Sequence, residues 1–250
     1  MHQLDDKVIA ITGAASGIGR ATARLAAAEG ARLALGDLDE GALVAVVDDV
    51  RAIGAKADGH RLDVADPASV VAFIETTVTA HDRIDGLVCS AGTTTSSPAL
   101  ELSLEDWQRI LTVNLTGTFV AVQAAAREMA ARGTGGSIVT ISSALATTGQ
   151  RHGAHYAASK AGVIALSKTF ALECGVAGVR VNNVAPGATE SPLLRRTVTD
   201  QFLEEWIARN PLGRLGRPED QANAICFLLS DAAEWITGQT FHINGGSIMP

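Results

Sequence analysis

The 250-residue chain has 47% hydrophobic residues and a formal net charge of −7. This length suits one α/β domain, and an acidic chain with scattered basic residues lacks the basic face that DNA and RNA binders present. Cys89, Cys174 and Cys226 are odd in number and lack paired ligand spacing, which points to a reduced, cytoplasmic protein without a disulfide framework or zinc site. The opening MHQLDDKVIAITG places acids before a short apolar run, unlike a signal peptide, and no apolar run reaches the ~18 residues of a membrane span.

The first expected strand, Lys7–Thr12, runs into Thr12–Gly13–Ala14–Ala15–Ser16–Gly17–Ile18–Gly19, which opens a helix over Gly17–Glu29. Glycines at a strand-to-helix turn let the backbone approach a pyrophosphate, whose charge meets the helix N-terminus. The position between strand and helix makes this spacing a strong dinucleotide signal. Arg32–Gly36 reads as the second strand, with Asp37 and Leu38 at its end and a helix over Glu40–Ile53. Asp37 lies near the distance at which an acid binds the adenosine ribose hydroxyls; the alternative is a plain cap for the following helix. A carboxylate there repels a 2′-phosphate. Neither Leu38 nor Ser16 supplies a compensating cation, so NAD is favoured over NADP.

The third strand is expected over Ala57–Leu62, followed by Asp63–Val64 and a helix over Pro67–His81. The Asp63 carboxylate suits an adenine amino group, or the start of that helix. Gly86–Ser90 reads as the fourth strand, and Cys89–Ser90–Ala91–Gly92 is small enough for close approach to a ribose or simply for a turn. A long helix is expected over Leu104–Arg132, with Asn114 inside it despite poor helix propensity. Ser137–Ser142 forms a fifth strand ahead of Ser143. A helix over Ala154–Gly175 carries Tyr156 and Lys160, and strands Arg180–Ala185 and Thr240–Asn244 flank a helix over Pro218–Ser230. Strands alternating with helices argue for βαβ units around a parallel sheet. The stretch Thr189–Arg214 interrupts the alternation just after a strand's carboxyl end, where ligands bind in open α/β sheets, and reads as a lid. No linker or internal repeat divides residues 1–250, which read as a single cofactor-binding and catalytic domain.

Tyr156 and Lys160, four apart on a helix, share one face. At about 4 Å and an effective dielectric near 20, the ammonium would favour phenolate by roughly 4 kcal/mol. That lowers a pKa of about 10 towards 7 before desolvation takes some back, which makes the phenol a usable acid/base. A serine hydroxyl thirteen residues upstream, Ser143, can hold the substrate oxygen; Ser142 competes, and the offset selects Ser143. His152 and His155 read as surface or substrate-loop residues in preference to metal ligands.

Taken together, the glycine turn, Asp63, Ala91–Gly92, Asn114, Ser143, Tyr156, Lys160 and Pro186–Gly187 resemble the short-chain dehydrogenase/reductase family over essentially the whole chain. The resemblance implies a doubly wound, Rossmann-like three-layer fold with a central, mainly seven-stranded parallel sheet. It implies that Tyr156 is the general acid/base, that Ser143 orients substrate, and that Lys160 binds the nicotinamide ribose and lowers the tyrosine pKa. By the same resemblance Asn114 anchors a water in a proton relay, and the backbone near Thr189 and the Ser191 hydroxyl meet the nicotinamide carboxamide. Cys89–Ser90 departs from the family's usual Asn-Asn and puts side-chain hydrogen bonds at that strand end in doubt. Homotetramers built partly through the two long helices are also implied.

The leading functional expectation is NAD-dependent interconversion of a secondary alcohol and a ketone. A 3-oxoacyl-thioester reductase of the fatty-acid type is the alternative enzyme; such reductases generally use NADPH and meet an acidic carrier through basic residues. A non-catalytic dinucleotide sensor is the alternative outside enzymes. Thr93–Pro98, Leu145–His155 and Glu190–Trp206 are expected to line the substrate pocket, mixing apolar groups with Gln150, Arg151, His152 and His155. That mixture suggests a modest apolar substrate with a polar handle.

Overall fold

The computed structural model describes residues 3–249; Met1, His2 and Pro250, the ends of the single-domain reading, lie outside the described residues. Seven strands form one sheet: β1 (Val8–Thr12), β2 (Arg32–Asp37), β3 (Ala57–Arg61), β4 (Gly86–Cys89), β5 (Gly136–Ile141), β6 (Val179–Pro186) and β7 (Thr240–Ile243). Their spatial order is β3-β2-β1-β4-β5-β6-β7, and every pairing is parallel. The central strands are largely apolar because both their faces are covered; all five residues of β1 are buried. The edge strand β3 instead alternates in burial.

The helices are α1 (Gly17–Ala28), α2 (Glu40–Ala52), α3 (Pro67–His81), α4 (Leu104–Leu111), α5 (Gly117–Arg132), α6 (Leu145–Thr148), α7 (Ala154–Cys174), α8 (Pro192–Thr197), α9 (Asp200–Arg209) and α10 (Pro218–Leu229). One face of the sheet packs Ile9, Ile11, Leu33 and Leu35 against Ala23, Ala26, Leu43, Val46 and Ile225 of α1, α2 and α10. The other packs Leu87 and Ile138 against Val70, Phe73, Ala121, Met129 and Ala171 of α3, α5 and α7. These are the three layers the sequence implies.

The expected helix over Leu104–Arg132 is not continuous. A wider i→i+5 turn over Thr112–Thr116 separates α4 from α5, a local expansion frequent at functional sites. The Thr189–Arg214 stretch contains α8 and α9, both capped by hydroxyls: Ser191 accepts from the Leu194 amide and Thr199 from the Phe202 amide. Its start is tied to the chain just past its end, where Thr189 bridges Gly216.

Candidate active site

Strand order reverses direction between β1 and β4, and in such sheets the crevice at the carboxyl ends of those strands is the ligand site. The two ends touch here. The Ser90 amide donates to the Thr12 carbonyl at 3.2 Å, and the Ala91 amide to the Thr12 hydroxyl at 3.3 Å. Gly13 has φ +67°, and a Cβ on it would lie 2.6 Å from the Ala91 backbone. A Cβ on Gly19 would lie 2.1 Å from the Gly13 carbonyl oxygen. These two glycines let the turn fold back under α1.

Helix α1 begins without a side-chain cap and without an acid in its first turn: Ser16 occupies the cap position with no capping bond. Its leading amides therefore remain available to an anion. Ile18 packs on the core beneath the turn, and a Cβ on Gly17 would sit 3.5 Å from the Ser191 side chain, so the start of the 189–214 stretch lies against the turn.

The Asp37 carboxylate accepts from the Ala15 amide at 2.9 Å and from the Asp39 amide at 3.0 Å. It is not the cap of α2; that role falls to Asp39, which accepts from Ala42. Asp37 thus braces the glycine turn from the end of β2, with the exposed Leu38 beside it. Asp63 lies two residues past the end of β3 and accepts from the Ala65 amide at 2.9 Å. It is distinct from the cap of α3, which is Asp66. The Val64 carbonyl abuts Gly117, where a Cβ would lie 2.4 Å away. A nicotinamide dinucleotide fits this cradle: an uncapped helix start, a glycine turn that a Cβ would fill, and a carboxylate at the end of β2.

The expected catalytic side chains gather at the ends of β4 and β5. Ser143 follows β5 and is buried; its hydroxyl accepts from the Leu145 amide at 3.2 Å. The competing Ser142 turns away and donates to Asn183. Lys160 is buried and donates to the Ile141 carbonyl at 2.9 Å, with its Nζ 5.8 Å from the centre of the Tyr156 ring. A Cβ on Gly92 would lie 3.5 Å from that Nζ and 3.4 Å from the Asn114 amide oxygen.

The electrostatics correct the sequence expectation. Burial raises the Tyr156 phenol above its ordinary value, and only the neighbouring Ser143 hydroxyl pulls the other way. Burial also brings Lys160 down to about 8, with nearby Cys89 acting against it. Desolvation of a phenolate is the larger effect, and the Lys160 ammonium, itself buried and bonded to the Ile141 carbonyl, does not offset it. In the chain alone the tyrosine is a protonated acid.

Asn114 sits fully buried in the widened turn. Its amide oxygen accepts from the Thr93 amide at 2.8 Å, while its nitrogen donates to the Thr93 carbonyl at 2.9 Å and to Ser159 at 3.1 Å. Near the far end of β6, the Gly187 amide donates to the Ile243 carbonyl at 3.1 Å, and the Pro186 carbonyl accepts from Ala144. Thr189 is buried, donating to the Gly187 carbonyl at 3.1 Å and accepting from Gln221 at 3.2 Å.

Sequence reasoning missed Ser159, Thr93 and Gln221 as partners, and it read His155 as a surface or substrate-loop residue, whereas the structure buries it in the first turn of α7. Only the positions of Ser159 and His155 beside Tyr156 and Lys160 offered a signal. The other contacts join residues far apart in the chain.

Fold and site together define a dinucleotide-binding oxidoreductase. A family model described as enoyl-(acyl carrier protein) reductase matches residues 13–247. Over 247 residues the chain is 40% identical to a 3-oxoacyl-(acyl-carrier-protein) reductase of Thermotoga maritima, covering 99% of this chain and 100% of the relative. It is 41% identical to the cis-4-hydroxycyclohexanecarboxylate dehydrogenase of Sinomonas cyclohexanicum, covering 96% of each. It superposes on 7α-hydroxysteroid dehydrogenase complexed with NADH and 7-oxo glycochenodeoxycholic acid with a TM-score of 0.94, at 33% identity, covering 99% of this chain and 96% of that one. The chain belongs to the short-chain dehydrogenase/reductase family, and is an oxidoreductase acting between alcohols and ketones.

Proposed function

We propose that the chain is an NAD-dependent dehydrogenase of a secondary alcohol, one domain carrying both cofactor and catalytic sites, with residues 189–214 as a lid. The observation that carries the reading is the convergence of Tyr156, Ser143 and buried Lys160 beyond β4 and β5, beside the cradle braced by Asp37. When bound, the nicotinamide supplies the hydride acceptor or donor. The Ser143 hydroxyl holds the substrate oxygen, and the Tyr156 phenol gives that oxygen a proton in reduction and takes it back in oxidation. Lys160 holds the nicotinamide ribose, and Asn114 anchors a water behind it. Gly13, Ser16, Gly17, Ile18 and Gly19 take the pyrophosphate, while Asp37 and Leu38 receive the adenosine ribose. Asp63 and Val64 receive the adenine, Ser90, Ala91 and Gly92 line the ribose path, and Pro186, Gly187, Thr189 and Ser191 receive the carboxamide.

The uncompensated Asp37 carboxylate supports NAD over NADP. An alicyclic alcohol is the substrate class favoured by the cyclohexanecarboxylate and steroid relatives. The 3-oxoacyl-thioester reading has the 40% identity to the Thermotoga relative in its favour; the net charge of −7 opposes docking of an acidic carrier. A cytoplasmic homotetramer is consistent with the three free cysteines and with Leu172, Val176 and Trp235 exposed near the end of α7 and ahead of β7. Among the described residues no helix is long and apolar enough to cross a membrane.

The test is a kcat/KM comparison across alicyclic alcohols and 3-oxoacyl thioesters with both cofactors. NAD is expected to exceed NADP by at least about tenfold, or 1.4 kcal/mol. Equal efficiencies would remove the role given to Asp37, and a preference for thioesters with NADPH would establish the other reading.

A further inference from the structure

His155 immediately precedes the tyrosine, is fully buried, and uses both ring nitrogens. Its Nδ1 accepts from the Tyr156 amide at 2.8 Å, and its Nε2 lies 2.9 Å from the Thr95 hydroxyl. A nitrogen that accepts carries no proton, so the neutral ring holds its hydrogen on Nε2 and donates it to Thr95. The Tyr156 amide belongs to the first turn of α7, where amides lack intrahelical partners, and the preceding Gly153 offers no side-chain cap.

Thr95 lies on the segment Thr93–Pro98, which is clamped at Thr93 by Asn114 and at Ser97 by an amide donating to the His152 carbonyl at 2.9 Å. His155 is therefore the side-chain link between the start of α7 and the middle of that segment.

We propose that His155 is a positioning residue: in its neutral Nε2–H form it fixes the backbone at Tyr156 and holds the Thr93–Pro98 segment against it, and its protonation releases the Tyr156 bond. The inference rests on the dehydrogenase reading for its kinetic consequence, though not for its geometry. A protonated ring has no lone pair on Nδ1, so the Tyr156 amide loses its partner and the new N–H turns to the Gly153 carbonyl. Burial disfavours that charged form. The Asp106 carboxylate and the Gly153 carbonyl act against burial, and Arg109 of α4 acts with it. The net effect keeps the ring neutral to lower pH than an ordinary histidine, so the device fails only in acid.

Ketone reduction isolates the effect, because it needs the Tyr156 phenol protonated and the phenol alone predicts no decline towards acid. The wild-type reduction rate is expected to fall below the ordinary histidine range, about pH 6.5, with the fold monitored by circular dichroism at each pH. Neither asparagine nor glutamine titrates. Asparagine keeps an acceptor near the Nδ1 position and glutamine reaches towards Thr95. In His155→Asn and His155→Gln the acid limb should vanish. His155→Leu, which serves neither partner, should lower kcat at least about tenfold, with His155→Asn recovering part of it.

The second measurement uses the wild-type chain alone: ¹⁵N spectra of the imidazoles, with His155 assigned by its absence in His155→Gln, should show the Nε2–H tautomer at neutral pH. An Nδ1–H tautomer, or the same acid limb in wild type and both amide variants, would overturn the proposal. Lack of any turnover in the wild type would instead overturn the dehydrogenase reading and leave the tautomer to decide the role of His155.

Discussion

Tyr156 is the only tyrosine in the chain, so its ionisation can be followed without interference from another phenol. Burial disfavours the charged phenolate, which moves ionisation upward; Ser143 offsets part of this, and Lys160 does not reverse it. The sign is therefore opposite to that expected from a lysine one helical turn away. Ultraviolet difference titration of the protein without cofactor should show the phenolate band emerging only above the ordinary tyrosine range near pH 10. Saturating NAD, whose nicotinamide ring is positively charged, should bring the transition down, and Lys160→Met should return it partway up. A transition near pH 7 without cofactor would mean that the lysine alone suffices.

At the scale of elements, the glycine turn and α1 form one rigid piece, held by Asp37 on one side and by the Gly19–Gly13 approach on the other. Gly19→Ala forces a methyl against a backbone carbonyl that no rotamer change relieves. It should cost at least about 2 kcal/mol by overpacking and remove cofactor binding, checked by urea denaturation and by isothermal titration with NAD. Wild-type stability in that variant would show that the turn is pliable.

Most elements were legible because their signals are local. Largely apolar runs marked β1, β4 and β5, and Pro67 and Pro218 marked helix starts to the residue. Asp37 and the Ser143–Tyr156–Lys160 set were picked out by chain order, and the structure places Asp37 at the end of β2 and the other three beyond β5. What was not legible depends on tertiary contacts. The widened turn at Thr112–Thr116 places Asn114 against Thr93 and Ser159, and Lys160 meets the Ile141 carbonyl nineteen residues earlier. Helix α8 lay inside a stretch read as a lid that interrupts the alternation, with no helix expected at its start; Pro192 in fact opens α8, as proline does at a first helical position.

For the whole molecule, the apolar side chains left outside bear on assembly. Leu172, Val176 and Trp235 are 83%, 96% and 97% exposed, and Gly238 brings the approach to β7 against Ala171 of α7. Light scattering after size exclusion is expected to give four times the 25.8 kDa chain mass, and Trp235→Glu should shift it to a smaller species. A monomeric wild type would leave this surface to another partner.

The central claim is that the Tyr156 oxygen moves the proton on an alcohol–ketone substrate. Phenylalanine keeps the ring and its packing and deletes only that oxygen. With saturating alicyclic alcohol and NAD, Tyr156→Phe should lose at least about 10²–10⁴-fold in kcat, the span of a general acid/base, while its dissociation constant for NAD stays within about threefold. A Tyr156→Phe protein that retains most of its kcat under those conditions would contradict the account.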